Sequence, residues 1–247
     1  MIVEILATMT HEGSLYAVDA RLRPFGGEGD LAQPMDRLGD YFASSAATWE
    51  LQAFLKARPL AGDLDLGWDV ARRIEGMIFH RAAQIDLARQ VLEMKLKLER
   101  DATARARGGT DIKAGPGGLA TIQFAIQFLQ LRHGIASPTH KRTTRLLATL
   151  RTAGLLDEDA YRVFFMGYRF LRLLEHQLRL IHGRALSRLP AGRGALDEIA
   201  MAMGYPDAPG AGAGDRLASD LETHRIRIET TFRCVLEETT QGRAPRA

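Results

Sequence analysis

The chain has a single cysteine, Cys234, in 247 residues. One thiol makes neither a disulfide framework nor a thiolate metal cluster. Cys234 falls in an apolar helical pattern, which predicts a core position. No apolar run reaches the length of a membrane-spanning helix. The first residues include Glu4 and no basic cluster, so they do not compose a signal peptide. A cytoplasmic protein with no membrane partner is expected. An excess of one charge is also missing: 33 basic and 30 acidic residues leave +3. That is too little to argue for a nucleic-acid partner. Lysine is scarce, standing only at 56, 95, 97, 113 and 141, so the basic residues are mostly arginine. What the chain does have is a hydrophobic share of 46%. That is enough for a substantial core, in one large domain or two small ones.

The stretch Leu15 to Pro24 stands out. Tyr16, Val18, Ala20 and Leu22 alternate with Ala17, Asp19, Arg21 and Arg23, the period of a half-buried strand. Such a strand would line up a carboxylate and two guanidiniums about 6–7 Å apart. Pro24 would end it, and Phe25-Gly26-Gly27-Glu28-Gly29 would turn. An acid beside two fixed cations suits a metal-bound polyphosphate, the acid holding Mg²⁺ and the arginines meeting phosphate oxygens. It equally suits a surface strand whose Asp–Arg pair contributes under about 1 kcal/mol.

Helix is expected nearly everywhere else. Ile2, Ile5, Leu6 and Met9 share a helical face, and His11 to Ser14 turns into the strand. Residues 30–62 read as helix with breaks. Here Glu50, Lys56 and Arg58 have two readings: groups that approach phosphate or orient an arginine, or a solvated face. Asp69 is expected to cap one long helix over 70–107 with a stripe of Ile74, Ile78, Ile85, Leu92 and Leu96. Arg107-Gly108-Gly109 would end it. Asp111 to Gly118 then makes a glycine-rich turn into an apolar helix over 119–133. Free N–H groups at that helix start, with Lys113 beside them, can receive phosphate, while Asp111 can hold water, a metal or Lys113. The plainer reading is an ordinary helix entry. Further helices are expected over 143–153, from the Asp157 cap to Gly183, up to Met203, and over 216–238. The segment 204–214 reads as a loop and the end as a basic tail. Glu175, His176 and His182 do not converge as metal ligands.

Three blocks carry a family resemblance. They are Tyr16 to Pro24 with Gly26 and Gly29; Trp49 to Arg58 with Ala61-Gly62-Asp63; and Asp111 to Leu119 with Ile122, Phe124 and Gln127. In this order they resemble the glutamine synthetase adenylyltransferase/adenylyl-removing family, and a weaker match runs to about Glu238. The resemblance implies a mainly α fold, a helical bundle preceded by a remnant of a nucleotidyltransferase α/β domain. Residues 1–65 would be the partial nucleotidyltransferase domain and 66–247 the bundle. It implies AMP transfer from ATP to a tyrosine of glutamine synthetase, or phosphorolytic removal of that AMP, with Mg²⁺. Asp19 would be the third metal carboxylate and the catalytic acid, while Arg21, Arg23 and Lys113 would contact nucleotide. The family's Gly-Ser turn and Asp-x-Asp pair would lie upstream of Met1, which implies an incomplete copy, inactive alone. The family's acids at two positions are replaced here by Thr121 and Gln123, which cannot serve as base or metal ligand. A second reading follows: a non-catalytic helical module that binds glutamine synthetase or the PII signalling protein.

Overall fold

A computed structural model describes residues 2–11, 13–14, 18–20, 22–105, 109–136, 142–183, 186–190, 192–206 and 212–240. Helix dominates it, as the periodicity predicts. The chain divides into two compact units, Met1–Gln84 and Ile85–Ala247.

The first unit begins with α1 (Ile2–Ala7) and the short strands β1 (Met9–Thr10) and β2 (Gly13–Ser14). These pair antiparallel, Met9 opposite Ser14 and Thr10 opposite Gly13. Then come α2 (Met35–Asp40), a π-helical turn over Tyr41–Ser45, α3 (Thr48–Phe54) and α4 (Leu64–Ala83). The π turn closes with the Ala46 N–H on the Tyr41 carbonyl at 2.9 Å. Its wide pitch lets the consecutive Tyr41 and Phe42 both face inward, 8% and 4% exposed. Leu51 and Leu55 of the α3 region and Ile74 and Ile78 of α4 are also buried in this unit.

Two expectations fail here. The strand over Leu15–Pro24 is not formed by its described residues: 18–20 and 22–24 run as coil, bend and turn. Residues 15–17 and Arg21 lie outside the described residues. Alternation favours a strand only where another strand offers its backbone. The one sheet among the described residues is the four-residue hairpin, and the described residues form no α/β layer. Second, the long helix capped by Asp69 is two helices. Asp63 is the cap of α4, accepting from the Leu66 N–H at 2.9 Å, and Asp69 sits inside the helix paired to Arg72. The helix stops at Ala83, and α5 (Leu87–Arg105) follows, with Asp86 accepting from the Arg89 N–H at 3.3 Å. The interruption also resets the phase of the apolar stripe. Leu87, Val91 and Ala102 are buried, while Leu96 is 39% exposed.

The second unit is a helical bundle of α5, α6 (Leu119–His133), α7 (Thr143–Thr152), α8 (Glu158–His182), α9 (Arg193–Ala202) and α10 (Ala213–Thr240). The central element is α6, apolar on most of its sides, with neighbours in α5, α7, α8 and α10. Ile122, Phe128, Phe164, Leu171, Ile228 and Phe232 are at most 1% exposed, and each such burial is worth about 1.5–3 kcal/mol. The predicted Asp157 cap is present, accepting from the Ala160 N–H at 2.7 Å. Gly154 ends the preceding turn with φ of 69°. Cys234 is exposed, against expectation: Phe232, Val235 and Leu236 take the inner face of α10 and leave position 234 outside. The expected helix end at 107–108, much of the 204–214 loop and the tail from 241 fall outside the described residues.

Candidate functional site

In the first unit the candidate residues lie on a loop. Asp19 is exposed. Arg23 is half-buried and turned into its own backbone: Nε donates to the Gly29 carbonyl at 2.7 Å, one terminal nitrogen to Ala20 at 2.7 Å and the other to Gly27 at 2.9 Å. A planar guanidinium suits three acceptors in one plane, so the side chain curls the loop around itself. Gly29 is needed there, because a Cβ would stand 1.8 Å from the Pro24 carbonyl oxygen. The loop also contains Phe25 at φ of 63°, the one positive-φ residue other than glycine among the described residues. Its ring meets Tyr41 edge-on at 4.8 Å.

Glu50, left open by sequence between a phosphate-side role and a solvated one, has a third partner. Its Oε1 accepts from the Tyr41 hydroxyl at 2.6 Å, and its Oε2 accepts from the Ala47 N–H at 2.8 Å, at the start of α3. Burial, and next the bond to Glu50, push the Tyr41 hydroxyl above its usual pKa. Lys56 and Arg58 are exposed.

In the second unit the turn over 111–118 is knit by its own carbonyls. Asp111 Oδ1 accepts from the N–H groups of Lys113 and Ala114, both at 2.9 Å, and Oδ2 from the Ser187 hydroxyl at 3.3 Å. The backbone is clasped from the same side: Ile112 N–H to the Ser187 carbonyl at 2.8 Å, and Leu189 N–H to Thr110 at 3.0 Å. The N–H groups of Gly118, Leu119, Ala120 and Thr121 go to Gly115, Ile112, Lys113 and Gly118. The start of α6 is therefore closed by backbone and does not offer the free N–H groups that phosphate capture needs. Asp111 holds the amide of Lys113, and the Lys113 side chain is exposed. Gly117 has φ of 64°, and a Cβ there would lie 2.1 Å from the Arg225 carbonyl oxygen. Close packing against α10 explains this glycine. Thr121 is 1% exposed and its hydroxyl has no partner among the described residues.

Sequence reasoning missed a buried ion cluster. Lys95 is 1% exposed; its Nζ donates to Glu99 at 2.5 Å and to Glu229 of α10 at 2.7 Å. Arg233 reaches the other oxygen of Glu229 at 3.2 Å, and the Phe232 ring lies 5.1 Å from the Lys95 ammonium. Burial raises the pKa of Glu99 despite Lys95. Burial works the same way on Glu229, but the bonds from Lys95 and Arg233 outweigh it and hold that carboxyl below its usual range. The spacing Leu87, Val91, Lys95, Glu99 was the available signal, since it continues one buried line of α5. Glu99 also borders an open groove of about 710 Å³ shared by α5 and Pro116.

The Mg²⁺ expected from the resemblance needs several converging donors. Among the described residues, no three His, Cys, Asp or Glu side chains are placed to share a metal ion, and Asp19 is the one acid of its motif. The described residues therefore do not fit a complete Mg²⁺ site. No described helix is long and apolar enough to cross a membrane.

Comparison with known proteins adds the following. Residues 1–73 match the family described as glutamate-ammonia ligase adenylyltransferase. Residues 86–236 match the family described as GlnD PII-uridylyltransferase. The bifunctional glutamine synthetase adenylyltransferase/adenylyl-removing enzyme of Xanthomonas campestris pv. campestris (strain B100) is 31% identical over 99% of this chain and 26% of the relative. The protein of the same description from Thioalkalivibrio sulfidiphilus is 32% identical over 100% of this chain and 25% of the relative. That from Xanthomonas oryzae pv. oryzae (strain MAFF 311018) is 34% identical over 99% and 25%. The chain spans about a quarter of the length of these curated relatives.

Proposed function

Because the chain belongs to the glutamine synthetase adenylyltransferase/adenylyl-removing family, we propose that it serves that family's reaction in the cytoplasm. That reaction moves AMP between ATP and a tyrosine of glutamine synthetase. The observation that carries this reading is the span of the likeness, which covers 99–100% of the chain and so includes both the Asp19 motif and the bundle. In this reading residues 1–65 belong to the nucleotidyltransferase part and 66–247 to the bundle. Asp19 is the carboxylate this chain would offer to the metal, and Arg21, Arg23 and Lys113 are the residues that would contact nucleotide phosphate. Asp19 alone does not balance the charge of a transferring phosphoryl group, so further carboxylates are required beside it.

A second reading draws on the bundle. Its match to a PII-uridylyltransferase family, together with uncharged Thr121 and Gln123, supports a helical module that binds glutamine synthetase or PII without catalysing transfer. One experiment tests both. The purified chain is incubated with labelled ATP, Mg²⁺ and glutamine synthetase, beside an Asp19→Asn control, and binding to the synthetase and to PII is measured in parallel. We expect binding without label transfer. Label moved by the parent chain and not by the control would make the chain an enzyme by itself. Neither transfer nor binding would remove both readings.

A further inference from the structure

The Arg23 loop is held from behind by residues that carry no phosphate-facing role. Phe25 keeps a left-handed backbone, which is unfavourable for a side chain with a Cβ, so something outside the loop must hold it. Tyr41 does so: its ring takes the Phe25 ring edge-on at 4.8 Å. Tyr41 is itself fixed. It is 8% exposed, stands against Phe42 with ring centroids 5.6 Å apart, and donates to Glu50 at 2.6 Å. Glu50 cannot swing away, because its second oxygen accepts from Ala47 at 2.8 Å. The contacts form one line from the start of α3 through Glu50, Tyr41 and Phe25 to the carbonyls that Arg23 gathers.

We propose that Tyr41 and Glu50 are positioning residues for Arg23, holding residues 22–29 in one conformation so that its guanidinium meets a nucleotide phosphate from a fixed place. The phosphate part rests on the functional reading above; the holding part does not. The ring of Tyr41 packs on Phe25, and its hydroxyl supplies the link to Glu50 that fixes the ring. The two are therefore separable by Tyr41→Phe, which keeps the ring.

The test uses the full chain with ¹⁵N-labelled arginine. The Arg23 Nε–H signal is identified by its loss in Arg23→Lys, and its solvent exchange is followed. In Tyr41→Phe and Glu50→Ala we expect exchange about tenfold faster, the size of one lost hydrogen bond, with the circular dichroism spectrum unchanged. Glu50→Gln keeps an acceptor and should restore exchange to within about threefold of the parent. Exchange within twofold of the parent in both Tyr41→Phe and Glu50→Ala would overturn the proposal. Should Tyr41→Phe fail to fold, the Glu50→Ala and Glu50→Gln pair decides alone. ATP titration is the second arm. Loss of ATP affinity in Arg23→Lys, with a smaller loss in Tyr41→Phe, is expected. Unchanged ATP affinity in Arg23→Lys would remove the phosphate role, while the exchange data still decide the positioning.

Discussion

The guanidinium of Arg225 donates from Nε to the Pro116 carbonyl across 2.9 Å, and the carbonyl of the same residue sits where a Cβ on Gly117 would fall. One residue of α10 thus touches the turn that starts α6 through both side chain and backbone. Gly117→Ala meets two penalties, a positive φ and a backbone clash. We expect a loss of about 3 kcal/mol or more. In thermal unfolding that lowers the midpoint by roughly 6–12 °C. Gly76 provides the contrast: it is exposed within α4 with nothing near its missing Cβ. Gly76→Ala should stabilise by about 0.5–1 kcal/mol.

Lys95 should be the costliest single charge to remove. Lys95→Ala leaves Glu99 and Glu229 facing one another in a buried setting without their shared cation. Breaking a buried pair in this way costs about 3–5 kcal/mol. The double variant Lys95→Met with Glu229→Gln should recover part of that loss, because it removes one stranded carboxylate as well. Urea unfolding of the three proteins measures this. A loss under about 1 kcal/mol in Lys95→Ala would mean that solvent screens the cluster.

Stability should also fall on mild acidification. Burial, with Arg227 adding to it and Asp220 opposing, holds His224 below its usual pKa of 6.5. The ring is stacked on Phe170 at 4.5 Å. Burial next to Arg132 depresses His133 in the same direction. A histidine depressed in the folded state contributes its full stability above 6.5. It loses that contribution as pH drops, because the unfolded chain takes up the proton first. Unfolding free energy should therefore decline from pH 7 toward pH 5. His224→Gln should flatten the slope in part, and the addition of His133→Gln should flatten it further. Equal slopes in parent and double variant would assign the decline elsewhere.

Asp111 is expected to matter for folding through its oxygens and not through its charge. Asp111→Asn keeps the acceptor that serves Lys113 and Ala114, and should cost under about 1 kcal/mol. Asp111→Ala leaves those amides without their partner and should cost about 1–3 kcal/mol. Denaturant midpoints for the two variants check the order; an equal loss in both would point to charge.

The bundle was legible where local chemistry alone decides. The Asp157 cap, the Gly154 stop and the apolar α6 all follow from neighbours in sequence. The strand at 15–24 was misread because alternation states a preference without stating whether another strand stands alongside. Asp86 hid the break between α4 and α5, since a capping residue inside a charged, helix-favouring stretch looks like any surface acid. Lys95 escaped notice because lysine is rarely buried unless paired, and its partner Glu229 lies 134 residues away. Arg23 was legible as a special residue, but its carbonyl partners depend on how the loop curls. No pattern in the sequence encodes that curl.

The clasp between Thr110–Ile112 and Ser187–Leu189 has a consequence for the order in which the bundle is made. Asp111 and Ser187 are 76 residues apart, so at about 5–20 residues per second the ribosome takes some 4–15 s to deliver the second half of the clasp after the first. Throughout that interval the turn lacks its anchoring strand segment. The most apolar helix of the bundle, immediately downstream, emerges before α8 and α10 exist to cover it. Bringing the two ends together also carries the entropy of closing a long loop. During synthesis α5 is the one bundle neighbour of α6 that precedes it, so the faces of α6 that meet α7, α8 and α10 are covered later, and the glycine-rich turn closes only once Leu189 has left the ribosome.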